Sequence, residues 1–176
     1  RNRGTIGGNI LSASPAADTV PVLMALDAVL VLVAENGQRM VSINGFMKGP
    51  GRTAIHQGEI LTKIVIPFKT GAARFRKVGK RNALAISIIN AAVYMEKEAG
   101  RITTLAIAIG SAGPTALRAF HTEELLRAWK RPGSEEKWQS LHEEIAIALS
   151  EDISPMIFEQ QEVIEKLWQP MWYCSL

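Results

Sequence analysis

Gly4-Thr5-Ile6-Gly7-Gly8-Asn9-Ile10-Leu11-Ser12-Ala13-Ser14-Pro15-Ala16-Ala17-Asp18, residues 4–18, reads as a glycine turn running into an S-x-S-P-x-x-D segment. Gly7 and Gly8 allow positive φ and carry no Cβ to hold a ligand away. Successive backbone N–H groups in such a turn converge on an anion. Thr5, Asn9 and Ser12 add side-chain hydrogen-bonding groups, and Asp18, acceptor-only when ionised, suits a ribose or ribityl hydroxyl better than a phosphate. The stretch therefore reads as a clamp for phosphate and sugar. The same residues also suit a plain tight turn leading into a helix started by proline. Neither G-x-G-x-x-G nor G-x-x-x-x-G-K-[ST] occurs, which disfavours Rossmann and Walker sites.

The chain has 176 residues, 47% hydrophobic and 21% charged, enough for one large domain or two small ones with real cores. Its longest apolar run, residues 28–34, falls far short of the roughly 18–20 residues a membrane helix needs. The opening Arg1-Asn2-Arg3-Gly4 has no signal-peptide pattern. Cys174 is the only cysteine, which excludes an internal disulfide and a four-thiolate cluster. The expectation is a cytoplasmic protein without a membrane partner. Net charge is +3 and the isoelectric point about 9.2. Much of the basic excess is local: Arg74, Arg76, Lys77, Lys80 and Arg81, with Lys69 just before. Strand alternation puts Phe75 on one face and Arg74 and Arg76 on the other. No nucleic-acid motif accompanies the cluster, so a solvated strand edge or a site for an anionic ligand or partner is expected, and no nucleic acid.

Along the chain, residues 18–27 show helical spacing with Pro21 tolerated in the first turn. Residues 29–33 and 39–43 read as a β-hairpin about a turn in which Gly37 takes positive φ. Residues 46–51 read as a Gly/Pro loop. Residues 59–67 read as a strand alternating Ile60, Thr62, Ile64 and Ile66 against Leu61, Lys63 and Val65. This is an antiparallel α+β unit. The composition shifts after Pro67, marking a domain boundary. Residues 85–95 and 102–109 suggest a second hairpin, with a continuous helix over 84–98 as the competing reading. A loop follows at 111–114. Helices are expected over 120–129 and 135–149, the second with a stripe of Trp138, Leu141, Ile145 and Leu149. His56, His121 and His142 are scattered without metal spacing. No nucleophile-plus-base arrangement appears, so no catalytic residue is assigned, and any redox chemistry would belong to a bound cofactor.

Five blocks in order, RNRGTIGGNILSASPAADTVPVLMALDA, INGFMKGPGRT, GEILTKIVIP, FRKVGKRNALAISI and IAIGSAGPTALRA, resemble the FAD-binding subunit of the molybdenum hydroxylases, the xanthine dehydrogenase and carbon monoxide dehydrogenase family. The resemblance runs from Arg1 to about Pro155. It implies the second half of a vanillyl-alcohol-oxidase-type FAD-binding domain, residues 1–68, followed by a small α+β C-terminal flavoprotein domain, residues 72–176, with an atypical tail at 156–176. It implies FAD as cofactor, molybdopterin-binding and 2Fe-2S subunits as partners, and electron transfer to NAD or another acceptor. Carried over by position, Thr5, Gly7, Gly8 and Asn9 match the pyrophosphate-side turn, Leu11 and Ser12 line the same cleft, and Asp18 matches the acid. Ile60 and Leu61 match positions near the flavin. Lys77, in F-x-K-x-x-x-R, matches a lysine near the isoalloxazine ring, where a cation favours the anionic reduced form.

Family members also carry, before these blocks, a Gly-rich A-G-G-T-D-like loop that grips the pyrophosphate from the other side. The expectation is that residues 1–176 alone bind FAD weakly or not at all and are inactive. The alternative reading is an FAD-free scaffold or interaction fragment. After Pro155 the family pattern D-[IL]-R-A-x-x-x-Y-R is replaced by MIFEQQEVIEKLWQPMWYCSL. One reading is a divergent amphipathic helix. The other is a frameshift: read from the third base of the Met156 codon, Met156-Ile157 yields only Asp, and Phe158-Glu159 and Ile164-Glu165 yield only Arg or a stop. These fall where the family segment has Asp and two Arg. Coding DNA of a close relative that ends in-frame with the same WYCSL would refute the frameshift. Exposed Trp168, Met171 and Trp172 in such a tail would favour homo-oligomers.

Overall fold

Val29–Ala34 (β1) carries alternating apolar residues and becomes the middle strand of a three-stranded antiparallel sheet, with Leu30 and Leu32 at 0% and 1% exposure. A computed structural model describes residues 4–79, 86–128 and 135–153 of the chain. Two short helices precede this strand, Ile6–Leu11 (α1) and Thr19–Ala25 (α2). Gly37–Ser42 (β2) pairs with β1 through a tight turn, and Gly37 takes φ +141°, as the sequence required. Residues 46–51 are more ordered than a loop, because Met47–Gly49 (β3) and Arg52–Thr53 (β4) pair in a small hairpin. Ile60–Val65 (β5) completes the sheet, whose order is β2-β1-β5.

The simple alternation expected for β5 does not hold. Val31 pairs with Lys63 but Leu32 pairs with Leu61, so Thr62 is the extra residue of a bulge. The bulge lets Leu61 and Ile64, an odd number of positions apart, both pack on the core, while Ile60 remains 68% exposed.

Ala72–Gly79 (β6), Ser87–Glu98 (β7), Arg101–Gly110 (β8) and Leu117–Arg118 (β9) form a second antiparallel sheet in that order. The competing helix over 84–98 is not formed. β7 is paired on both sides, and its Ile and Val side chains suit a pleated surface better than a helix. In β8 the alternation is large against small. Leu105, Ile107 and Ile109 face Phe120–Ala128 (α3) and Glu135–Asp152 (α4), while Ala106 and Ala108 face α2 and the first sheet. Small side chains on that face let α2 sit close. A Cβ added at Gly110 would lie 2.3 Å from Asn90 Oδ1 and 2.9 Å from Pro21 Cγ. Gly110→Ala is therefore expected to lower stability by about 1–3 kcal/mol, read from the urea midpoint.

One hydrophobic cluster contains Ile10, Val20 and Leu30 together with Ala92, Tyr94, Ala106 and Ala108, so packing is continuous between the two sheets. The division proposed at 68–72 lies in the connection between β5 and β6. Leu141, Ile145 and Leu149 form the buried stripe of α4; the side chain of Trp138, together with Lys80, Arg81 and the tail at 156–176, lies outside the described residues.

Asp152 at the end of α4 caps the start of α3, accepting from His121 N at 3.1 Å and Thr122 N at 2.9 Å. His121 Nδ1 stands 2.9 Å from the same carboxylate, and that bond together with the carboxylate's charge raises the imidazole pKa. A raised histidine pKa stabilises the fold fully below the unfolded value and less as pH climbs through the folded one. Titration followed by NMR should give His121 a pKa above that of free histidine, and Asp152→Asn should remove most of the excess, the rest coming from Glu151 and Glu124.

Candidate functional site

The residues read as a glycine turn are helical. Thr5, at φ −114° and ψ 156°, is the N-cap of α1, and its Oγ1 accepts from Gly8 N at 3.0 Å. Asn9 N bonds Thr5 O at 2.9 Å, and Ile10 is fully buried beneath. Cap and burial together select helix over the turn that the Gly pair suggests locally. Gly7 and Gly8 consequently have no positive φ, and the Gly8 N–H is used internally.

What the glycines supply instead is a bare helix face. A Cβ at Gly7 would find only Leu61 Cδ2, at 3.8 Å, and one at Gly8 would meet Thr5 Oγ1 at 3.0 Å. The N–H groups of Ile6 and Gly7, in the first turn, have no carbonyl within the helix to accept them. The Thr5 hydroxyl keeps its proton to donate.

Asn9 Oδ1 accepts a short hydrogen bond from the Thr19 hydroxyl, tying α1 to the start of α2 and leaving the Asn9 amide nitrogen as a donor. Ser12 Oγ donates to Asn9 O at 2.8 Å, so its proton is spent locally. Leu11 is half-buried against the core. The S-x-S-P segment is pinned from two sides, by Gly51 N on Ala13 O at 3.2 Å and Ser111 N on Pro15 O at 2.8 Å.

Asp18 ends that segment and is met by three donors. Lys77 Nζ reaches Oδ2 at 2.5 Å, while Ser87 Oγ and Asn90 Nδ2 reach Oδ1 at 2.6 Å and 3.0 Å. Burial opposes the charge, but the bonds from Lys77, Ser87 and Asn90 and the Lys77 charge outweigh it, holding the carboxyl below its ordinary pKa. The sequence reading gave Asp18 and Lys77 separate roles; the fold makes them a pair. With Oδ1 filled, the remaining acceptor capacity of Asp18 lies on Oδ2, beside the ammonium. Ser87 and Asn90 were missed in the sequence. The available signal was an Asn inside the apolar run Ile88-Ile89-Asn90-Ala91-Ala92, and Asn90 is fully buried.

Ile60 and Leu61 open β5 beside α1, as the Gly7 to Leu61 distance shows. Their entry is fixed by Arg39, whose Nε and Nη2 grip Glu59 at 2.5 Å and 2.8 Å. The Arg39 bonds, with one from His56 N, hold the Glu59 carboxyl at about 2. Ile60 and Ile6, the sequence neighbours of Leu61 and Gly7, are 68% and 56% exposed. Contacts thus run from β5 through α1 and Asn9–Thr19 to Asp18 and Lys77. Among the described residues there is no His/Cys/Asp/Glu group that would hold a metal, and no helix long and apolar enough to cross a membrane.

Two family models cover most of the chain. Residues 1–69 match the FAD binding domain in molybdopterin dehydrogenase, and residues 74–158 match the CO dehydrogenase flavoprotein C-terminal domain. The chain belongs to the molybdenum hydroxylase flavoprotein family. It is 36% identical over 128 residues to the putative xanthine dehydrogenase FAD-binding subunit of Escherichia coli K12, covering 70% of this chain and 44% of that protein. It is 36% identical over 132 residues to the nicotinate dehydrogenase FAD-subunit of Eubacterium barkeri, covering 72% and 45%. Among solved structures, a carbon monoxide dehydrogenase from Hydrogenophaga pseudoflava superposes with a TM-score of 0.80 at 27% identity, over 95% of this chain and 57% of that one. The chain spans less than half the length of the curated relatives it matches. The α+β flavoprotein architecture read from the sequence is the fold of this family.

Proposed function

We propose that this chain forms one wall of an FAD site in the electron-transfer subunit of a molybdenum hydroxylase. The observation that carries the reading is the Asp18–Lys77 pair, 2.5 Å apart, joined to the bare glycine helix α1 through the Asn9–Thr19 hydrogen bond. The residues fit the cofactor. The N–H groups of Ile6 and Gly7, the Thr5 hydroxyl and the Asn9 amide are donors toward a diphosphate, and Gly8 keeps that approach clear. Leu11 and Ser12 border the same helix, Ile60 and Leu61 offer an apolar surface to a ring system, and Lys77 offers a positive charge to it. When bound, FAD supplies the redox chemistry. The chain's own part is to bind, orient and bias it electrostatically. In this reading the partners are a molybdopterin-binding and a 2Fe-2S subunit, with NAD or another final acceptor, and the enzyme is a multi-subunit oxidoreductase.

Because Asp18 offsets Lys77, the two substitutions act oppositely. Lys77→Met removes the cation and should weaken binding of dithionite-reduced FAD more than oxidised FAD. Asp18→Asn unmasks the cation and should favour the reduced form. Anaerobic titrations of each variant with both forms give the ratio. Ratios that move in the same direction, or not at all, would sink the assignment.

A further inference from the structure

β6 is an edge strand. Among the described residues it pairs only with β7, and Ala72 through Lys77 are exposed. Such an edge presents a row of unpaired backbone N–H and C=O groups to any extended chain that reaches it. Register sets what flanks that row. Ala73 and Phe75 stand opposite Tyr94 and Ala92 on the α2 face, whereas Arg74 and Arg76 stand opposite Val93 and Ala91 on the other. On the α2 face a cavity of about 180 Å³ opens between Val22 of α2, Leu26 just beyond its end, and Ala73, Phe75 and Tyr94 of the sheet. Phe75 keeps 41% of its surface exposed at its rim. Arg74 and Arg76 have no carboxylate partner among the described residues.

A second copy of β6 is a poor occupant, since antiparallel self-pairing sets Arg against Arg, and like charges directly opposite are destabilising. We infer that the β6 edge docks an extended polypeptide segment, alternately apolar and acidic, from another protein. Its apolar side chains would lie beside Phe75 and fill the cavity, its carboxylates would pair with Arg74 and Arg76, and its backbone would continue the sheet. This inference is independent of the FAD reading, because Phe75 and both arginines lie outside the proposed cofactor contacts.

The test is an NMR titration of the nitrogen-15-labelled chain with an end-blocked peptide alternating Glu and Val. Its controls are the same peptide with Lys for Glu and with N-methylated backbone. The expected result is saturable shifts in Ala72–Gly79, absent at the opposite edge strand β9. Both control peptides should bind at least about tenfold more weakly, and Arg74→Glu/Arg76→Glu should reverse the charge preference. Both side chains are exposed, so the double variant should keep the wild-type spectrum elsewhere. Shifts that are absent, centred off β6, or equal for the Glu and Lys peptides would overturn the inference. So would an oligonucleotide outcompeting the peptide, or β6 shifts that grow with chain concentration alone.

Discussion

Arg118→Met should lower unfolding stability by about 3–5 kcal/mol, the loss expected when one partner of a buried ion pair is removed and the other, here Glu123, is left buried without it. The Arg118 side chain is 9% exposed and Glu123 only 2%, and Nε and Nη2 grip the two Glu123 oxygens at 2.6 Å and 2.8 Å. Nη1 also reaches Asp27 Oδ1 at 2.8 Å and Met24 O at 3.2 Å. One side chain therefore joins the end of α2 to β9 and α3. Removing it leaves Glu123 with the Ile107 N–H at 2.8 Å and an Arg127 guanidinium 4.0 Å away. Asp27 would keep Lys69, at 2.8 Å, and the weaker Asn44 bond at 3.3 Å. The loss should appear in the urea midpoint, and Arg118→Met/Glu123→Leu should recover part of it, since the stranded carboxylate goes too. A single-variant loss under about 1 kcal/mol would mean that solvent reaches the network.

The same network carries a pH dependence. Burial works against ionisation of Asp27, but the Lys69 bond and the Arg118 and Lys69 charges prevail and lower its pKa. A depressed carboxyl stabilises the fold above its unfolded value, and that contribution fades as pH falls through the folded one.

Local signals were legible where local chemistry decides. The β1–β2 hairpin follows from Asn36-Gly37 between alternating runs, and the β7–β8 hairpin from Ala99-Gly100 between two apolar stretches. The helix after Asp18 follows from its spacing and Pro21. The glycine pair misled because its turn signal is local, whereas the Thr5 cap and the burial of Ile10 are what fix α1. The Thr62 bulge was invisible because it exists only relative to β1. Asp18 was singled out by its acceptor chemistry and Lys77 by resemblance, but 59 residues separate them in sequence, and only the packing of α2 on the second sheet makes them partners. The same holds for Arg118 and Asp27, 91 residues apart. The sequence thus offers Asp18 and Lys77 as separate positions, and their joining into one electrostatic unit is a property of the fold.

FAD should bind the isolated 176-residue chain weakly, with a dissociation constant above about 0.1 mM. α1, β5 and Lys77 present one surface, and contacts from a single wall lack the enclosure that preorganises a cofactor site. Gly7→Leu places a branched side chain on the bare face of α1, where only Leu61 lies near, and should abolish the interaction while leaving the fold intact.

An FAD titration of the nitrogen-15-labelled chain tests the central claim most directly. The account predicts fast-exchange shifts confined to Thr5 through Ser12, Asp18, Ile60, Leu61 and Lys77, and none in Gly7→Leu. Millimolar FAD that leaves α1 and Lys77 unmoved, or stoichiometric micromolar binding that survives Gly7→Leu, would contradict it.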